Sequence, residues 1–299
     1  AVSPGPVYGL SLNAAGDVLA TAGAARVGTA ARISLWDFPA GTLRESLEDS
    51  SGLITSVVFN PATQTLLSAS FDSTVRFWQP GNTTPLGEIT IPGFSVLHAI
   101  VISPDGKRLA AATDQAEITV WDLESSAQVA TLQGHTNSVY SLVFSPDGKT
   151  LASGSRDNTI RFWNMETMQP AGDPISGSIA NGLAFSPDGR FFAAASRDYL
   201  VRVWDVATGQ LYREPFQGHT DEVNAVAFSP DGQMLASGSD DGAVRLWDIS
   251  TGQAVGLPFT EHRDAVNGLL FTSDGNYLLS AGQDGAIIRR DIAFTSLEQ

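Results

Sequence analysis

The sequence predicts an all-β protein built from seven similar units, and three observations carry the prediction. The six tryptophans, Trp36, Trp78, Trp121, Trp163, Trp204 and Trp247, are spaced 42, 43, 42, 41 and 43 residues apart, and one more step of 43 reaches Arg290. Asp follows Trp at 36–37, 121–122, 204–205 and 247–248. The turn Ser-Pro-Asp-Gly recurs at 103–106, 145–148, 186–189 and 229–232, with Thr272-Ser273-Asp274-Gly275 as a variant. A period of about 40–45 residues ending in Trp-Asp is the signature of propeller blades. The expected fold is a seven-bladed β-propeller, four antiparallel strands per blade, as a single domain over residues 1–299.

Unit four shows how each element arises. Val139 to Phe144 is an apolar first strand whose uneven spacing (Val139, Leu142, Phe144) predicts a bulge. Ser145-Pro146-Asp147-Gly148 then turns the chain, because Pro presets φ and Gly accepts a positive one. Leu151 to Ser155 forms the second strand, Arg156-Asp157-Asn158 a turn, and Thr159 to Trp163 a third strand with alternating side chains. A weaker outer strand follows each Trp, as at Gln128 to Leu132. Unit one carries about five extra residues in Gly23–Ala31. The last unit must take its outer strand from Ile292–Gln299 or from residues ahead of Ala1.

Composition narrows the function. With 17 basic and 32 acidic residues the formal charge is −15, so no nucleic-acid or membrane-surface partner is expected. There is no Cys, which excludes disulfides, thiolate metal sites and a cysteine nucleophile. The turn residues Asp105, Asp147, Asp188, Asp231 and Asp274 come from separate units, whereas a calcium site needs oxygens converging on one point. No metal and no cofactor are expected.

The segments GHTNSVYSLVFSPDGKTLASGSRDNTIRFW (134–163) and GHTDEVNAVAFSPDGQMLASGSDDGAVRLWD (218–248) closely resemble repeats of the WD-repeat β-propeller family. The resemblance extends over about 290 residues. It implies that recurring His, Ser, Asp and Trp residues form a buried hydrogen-bond tetrad, not a catalytic triad. The tetrads are His135, Ser153, Asp157 and Trp163 in unit four, and His219, Ser237, Asp241 and Trp247 in unit six. No GxSxG elbow accompanies either serine. Unit seven keeps His262, Ser280 and Asp284 but has Arg290 for Trp. Units two and five keep Asp72 and Asp198 without the His, and unit three has Gln115 in place of the Asp.

The same resemblance implies two sets of partner-facing positions on one face of the disc. The first set, four residues before the first-strand Phe, is Tyr8, Thr55, His98, Tyr140, Asn181, Asn224 and Asn267. The second, just before the Asp of the second turn, is Phe71, Asp114, Arg156, Arg197, Asp240 and Gln283. Phe71, His98 and Tyr140 would make an aromatic shelf beside a basic pair, Arg156 and Arg197, with Asp240 and Glu222 as an acidic flank. Aromatic residues and Arg are enriched at binding hot spots, and guanidinium suits carboxylate or phosphate.

The expected function is a non-catalytic protein–protein interaction module, scaffold or sensor, binding a partly acidic peptide or protein loop near the central channel. The alternative is a propeller hydrolase or oxidoreductase working at that channel, against which the first strands offer no acid–base pair. The close similarity among units resembles bacterial arrays attached to signalling domains. With no Met at position 1, the chain is expected to be one domain of a larger cytoplasmic polypeptide.

Overall fold

The computed structural model describes residues 5–23, 31–49, 53–93 and 96–292. Seven antiparallel sheets follow one another along the chain, each built from consecutive strands with no crossover. The first strands of neighbouring sheets pack side by side, and that of blade one (Val7–Leu12) lies beside that of blade seven (Val266–Phe271), closing the ring. Unit four forms its first three strands at Val139–Phe144, Thr150–Ser155 and Thr159–Asn164, as its pattern predicts.

The core is divided. Seven apolar clusters lie between successive blades, the last joining Leu279, Ala281 and Ile287 of blade seven to Val7, Leu19 and Trp36 of blade one. A blade therefore buries both faces of its middle strands, which explains their small residues: Ala110, Ala111 and Ala112 are fully buried, as are Ala193, Ala194 and Ala195. The Ser-Pro-Asp-Gly turn closes on itself. In blade four, the Ser145 hydroxyl donates to Asp147 at 2.6 Å, and Asp147 and Ser145 accept the Lys149 and Thr150 amides, while Gly148 takes φ 70°.

The outer strands depart from the expectation of four regular strands in every blade. They are continuous in blades one to three, at Thr42–Asp49, Gly87–Thr90 and Ala127–Leu132. In blade four the outer strand splits into Gln169–Pro170 and Ile175–Ser176, both paired with the third strand. In blade five only Gln210–Leu211 and a bridge at Phe216 pair, and in blade six only bridges at Ala254 and Phe259. The cause is proline: Pro170, Pro174, Pro215 and Pro258 lie in these segments and lack the N–H a ladder needs. Most of Gly23–Ala31, and Ile292–Gln299 beyond Ile292, lie outside the described residues.

Every first strand carries a bulge, as the spacing in unit four predicts. The register with the second strand slips between Val7 and Gly9, Ile54 and Ser56, Val139 and Ser141, Ala180 and Gly182, Val223 and Ala225, and Val266 and Gly268; in blade three it slips opposite Leu97 and Ala99. The unpaired residues are Tyr8, Thr55, His98, Tyr140, Asn181, Asn224 and Asn267. A bulge re-aims its side chain, and here several clasp the next blade. Thr55 donates to the Leu97 carbonyl at 2.8 Å, Asn181 to Val223 at 3.4 Å and Asn267 to Val7 at 3.2 Å.

The residue after the bulge faces the neighbouring backbone. A Cβ on Gly182 would stand 2.5 Å from the Asn224 carbonyl oxygen, and one on Gly9 2.8 Å from the Val57 nitrogen. Gly182→Ala is expected to destabilise the fold by about 1–3 kcal/mol through overpacking, read from the urea midpoint. An unchanged midpoint would mean that the blades slide apart at no cost.

Candidate functional site

The seven bulge residues ring the mouth of a central cavity of about 360 Å³. Below them its wall is Gly, Ala, Ser and aliphatic side chains of the first strands. The second-turn residues stand on the same face, because the end of each second strand pairs with the start of the first: Val139 lies opposite Ser155, and the Arg156 amide donates to the Ser138 carbonyl at 2.9 Å.

A chain of side chains crosses this face from blade three to blade six. The His98 and Tyr140 rings meet edge to face with centroids 4.8 Å apart. The Arg197 guanidinium lies 5.7 Å from the Tyr140 ring centre. Its Nε donates to Asn181 Oδ1 at 3.2 Å and pairs with Glu222 at 3.3 Å. Asn181 in turn donates to Asn224 Oδ1 at 3.2 Å, and Asn224 to Asp240 at 2.6 Å. His98 is held below the ordinary imidazole range by burial, only partly offset by the charge of Asp114. It is therefore neutral at pH 7 and contributes an aromatic edge.

Two expectations need correction. Arg156 and Arg197 are not an equivalent basic pair: Glu222 already neutralises Arg197, whereas Arg156 is exposed and has no ion-pair partner among the described residues. The aromatic shelf is also divided. His98 and Tyr140 touch, but Phe71, 45% exposed, makes no ring contact with either. Asn267 is engaged with the Val7 carbonyl, which turns its amide toward blade one.

Tyr199 escaped the sequence reading. It occupies a left-handed turn position, φ 70°, where blades four, six and seven place Asn158, Gly242 and Gly285. A bulky residue there is strained, and Tyr199 is nonetheless 45% exposed, two residues from Arg197. The signal was available: a Tyr at the place where units two, three, four, six and seven have Ser73, Ala116, Asn158, Gly242 and Gly285.

The recurring His, Ser, Asp and Trp residues meet by hydrogen bonds. In blade four the Trp163 indole donates to Ser153 Oγ at 2.8 Å, Ser153 lies 2.8 Å from His135 Nε2, and His135 Nδ1 lies 2.9 Å from Asp157. In blade six the corresponding distances are 2.8, 2.8 and 3.0 Å for Trp247, Ser237, His219 and Asp241. With Asp ionised, Nδ1–H donates to the carboxylate and Nε2 accepts the serine proton. Both serines are fully buried, so this hydroxyl has no room for a substrate.

Blades without the histidine reuse the carboxylate. The Arg two residues before Trp turns onto it, Arg76 onto Asp72 at 2.8 Å and Arg202 onto Asp198 at 3.0 and 2.6 Å. Blade seven makes a different exchange. Arg290 replaces Trp and donates to Ser280 at 2.6 Å and to Glu261 at 2.7 Å, with its guanidinium 4.8 Å over Phe259. Glu261 stands where blades four and six have glycine. There Gly134 and Gly218 take φ 154° and 157°, and a Cβ on either would lie 3.1 Å from the Arg161 or Arg245 guanidinium and 3.4 or 3.3 Å from the Trp ring. Blade seven has Ile288 and Arg290 at those two places, and burying Arg290 calls for the counter-charge of Glu261.

The family model described as "WD domain, G-beta repeat" matches residues 41–79, 126–164, 174–205, 209–248 and 254–288, more than half of the chain. The chain belongs to the WD-repeat family. Among curated proteins it is similar to periodic tryptophan protein 2 homolog of Mus musculus, 36% identical over 102 residues, covering 34% of this chain and 11% of that protein. It is also similar to pre-mRNA-processing factor 19 homolog 2 of Arabidopsis thaliana, 32% identical over 95 residues, covering 31% of this chain and 18% of the relative. Coatomer subunit beta'-1 of Arabidopsis thaliana is 32% identical over 108 residues, covering 35% and 12%. The match thus spans less than a fifth of each relative's length. All three come from eukaryotes, so the expected bacterial signalling array receives no support from them. No helix among the described residues is long and apolar enough to cross a membrane.

Two predictions follow from the tetrads. Arg290→Trp alone is expected to destabilise the protein, and Glu261→Gly with Arg290→Trp to recover most of the loss. The coupling should be about 0.5–3 kcal/mol in a double-mutant cycle; strict additivity would refute the exchange. The second concerns pH. Burial holds His135 and His219 below 6.5, against the opposing pull of Asp157 and Asp241. Their stabilisation is complete above the unfolded value of 6.5 and declines as pH falls below it. Burial would raise Asp157, yet hydrogen bonds from Thr159, the Thr136 amide and His135 bring it from 3.8 to about 2, so its share is lost between those values. Melting temperature should therefore fall in two stages on acidification, and the first stage should shrink in a His135→Gln, His219→Gln variant, leaving the share of His98, which burial also holds below 6.5.

Proposed function

We propose that this WD-repeat propeller is a non-catalytic binding module that holds an extended, partly acidic segment of a protein partner across the channel mouth. The observation that carries the reading is the ring of seven bulge residues. A bulge in every first strand turns a side chain to one face, and no core packing requires all seven to do so. On that face His98 and Tyr140 offer an aromatic edge, and Arg156 is a cation with an unused guanidinium fork suited to a carboxylate. Arg197, tied to Asn181 and Glu222, serves as a positioned wall instead of a second anion site.

The relatives support a binding role: one is by name a coatomer subunit and another a processing factor. That the propeller is one domain of a larger polypeptide belongs to the same proposal, supported by the small share of each relative that it matches; a cytoplasmic location is proposed with it. Among the described residues the channel wall is Gly, Ala, Ser and aliphatic side chains of the first strands, with no carboxylate.

Arg156→Glu is expected to abolish capture of the partner from source lysate, while Lys149→Glu, in the turn on the opposite face, leaves it intact. Arg156→Ala should weaken binding by about 2–5 kcal/mol if the carboxylate is buried on docking. Equal capture by wild type and Arg156→Glu, at equal melting temperatures, would sink the reading.

A further inference from the structure

We propose that a cavity between blades four and five is a binding site for a neutral imidazole ring, the group this chain itself supplies at the same place in blades four, six and seven. The tetrad histidine stands four residues before the first strand: His135 before Val139, His219 before Val223 and His262 before Val266. Four residues before Ala180, the start of blade five's first strand, stands Ser176, but it ends the outer strand of blade four opposite Thr159, and the loop from outer to first strand is two residues shorter here than before Val139, Val223 or Val266. A cavity of about 110 Å³ lies there, lined by Ile160, Ser176, Ser178, Ser196, Arg202 and Trp204 among others. An apolar cavity of about 150 Å³ accepts benzene, so a five-membered ring is the right scale.

The lining also holds a donor with no protein partner among the described residues. Five of the six indoles donate to a hydroxyl: Trp36 to Thr21, Trp78 to Ser68, Trp121 to Thr119, Trp163 to Ser153 and Trp247 to Ser237. In blade five the residue paired across the ladder with Arg202 is Ala194, where blade four pairs Ser153 with Arg161. Blade three also has an alanine there, Ala111, but its ladder partner Thr119 supplies the acceptor. Blade five has Arg202 instead, a donor only. Trp204, 7% exposed, is left without a hydrogen-bond partner among the described residues, and it lines the cavity.

The chemistry of the walls selects the ligand. An indole N–H can only donate, so the ligand needs an acceptor. A benzene-like ring would leave the N–H unpaired. An anion finds Arg202 already neutralised by the two oxygens of Asp198. Neutral imidazole has a bare nitrogen for the indole and an N–H for the hydroxyls of Ser176, Ser178 or Ser196. Protonation removes the bare nitrogen and with it the complementarity. The ring comes either from a free azole or from a histidine side chain of a bound polypeptide. None of the seven bulge residues lines the cavity, so the site goes beyond the docking face proposed above and stands independently of it.

The test follows the six indole N–H resonances by ¹⁵N–¹H NMR, with Trp204→Phe identifying one of them. Imidazole at about pH 8 should shift the Trp204 resonance saturably, leave the other five in place, and lose its effect near pH 5, below the ordinary imidazole range of about 6.5. Ser176→His should move the same resonance without ligand and abolish the response. The proposal is overturned if Trp204 does not move at pH 8, if all six resonances move together, or if Ser176→His responds as wild type does. A capped peptide with an internal histidine separates the sources. Saturation at tenfold lower concentration than imidazole assigns the slot to a partner side chain; equal or weaker binding assigns it to a free azole. Arg156→Glu should leave every one of these responses unchanged, so failure of the docking face is read separately.

Discussion

A tryptophan N–H buried at the end of a third strand must find an acceptor, and much of each blade is arranged around that requirement. Serine on the second strand meets it in blades two, four and six, threonine in blades one and three. Where histidine is present, the same hydroxyl passes its own proton on, so one oxygen ties a strand to the connecting loop and, through aspartate, to the second turn. Each such bond is worth only about 0.5–1.5 kcal/mol net, but leaving the donor unpaired costs about 1–3 kcal/mol. The penalty for absence, more than the reward for presence, explains why substitutions in this set come in groups.

Blade seven and blade five show two outcomes of losing a member. In blade seven, Arg290 keeps the serine satisfied and brings in Glu261 as a counter-charge. Blade five kept the indole and lost both the hydroxyl and the histidine. Its aspartate was taken over by Arg202, and a donor and a cavity remain. The same accounting of hydrogen bonds therefore separates a repaired blade from one with an opening.

The ring imposes a second constraint. Because the core is seven interblade layers, the first strands need not fill the centre, and their bulges line the mouth of the channel. The side chains they turn there differ (Tyr, Thr, His, Tyr, Asn, Asn, Asn), and Thr55, Asn181 and Asn267 also bond the next blade. Variation on a rigid, repeated scaffold is where binding specificity is usually carried. Neutralisation of Arg197 by Glu222 sharpens that surface, leaving Arg156 as the accessible cation on the second-turn positions of blades four and five.

The sequence by itself determined the number of blades, their three inner strands and turns, and the bulge, because these rest on local chemistry repeated every 42 residues or so; the outer strands, interrupted in blades four to six, departed from it. Pro and Gly in the turns and alternation within strands are readable one unit at a time. The resemblance to WD repeats also located the tetrad members. Only the tertiary structure decided the rest. Glu222 and Arg197 lie on different blades and meet because the ring brings neighbouring loops together, and the distance between Phe71 and the His98–Tyr140 pair is likewise set between blades. Glu261 becomes legible only once it is seen paired with Arg290, 29 residues along the chain. The cavity beside Trp204 needed three absences, in residues 176, 194 and 202, to be seen around one side chain. Contacts within a unit are written in its spacing, whereas contacts between units depend on how the units close.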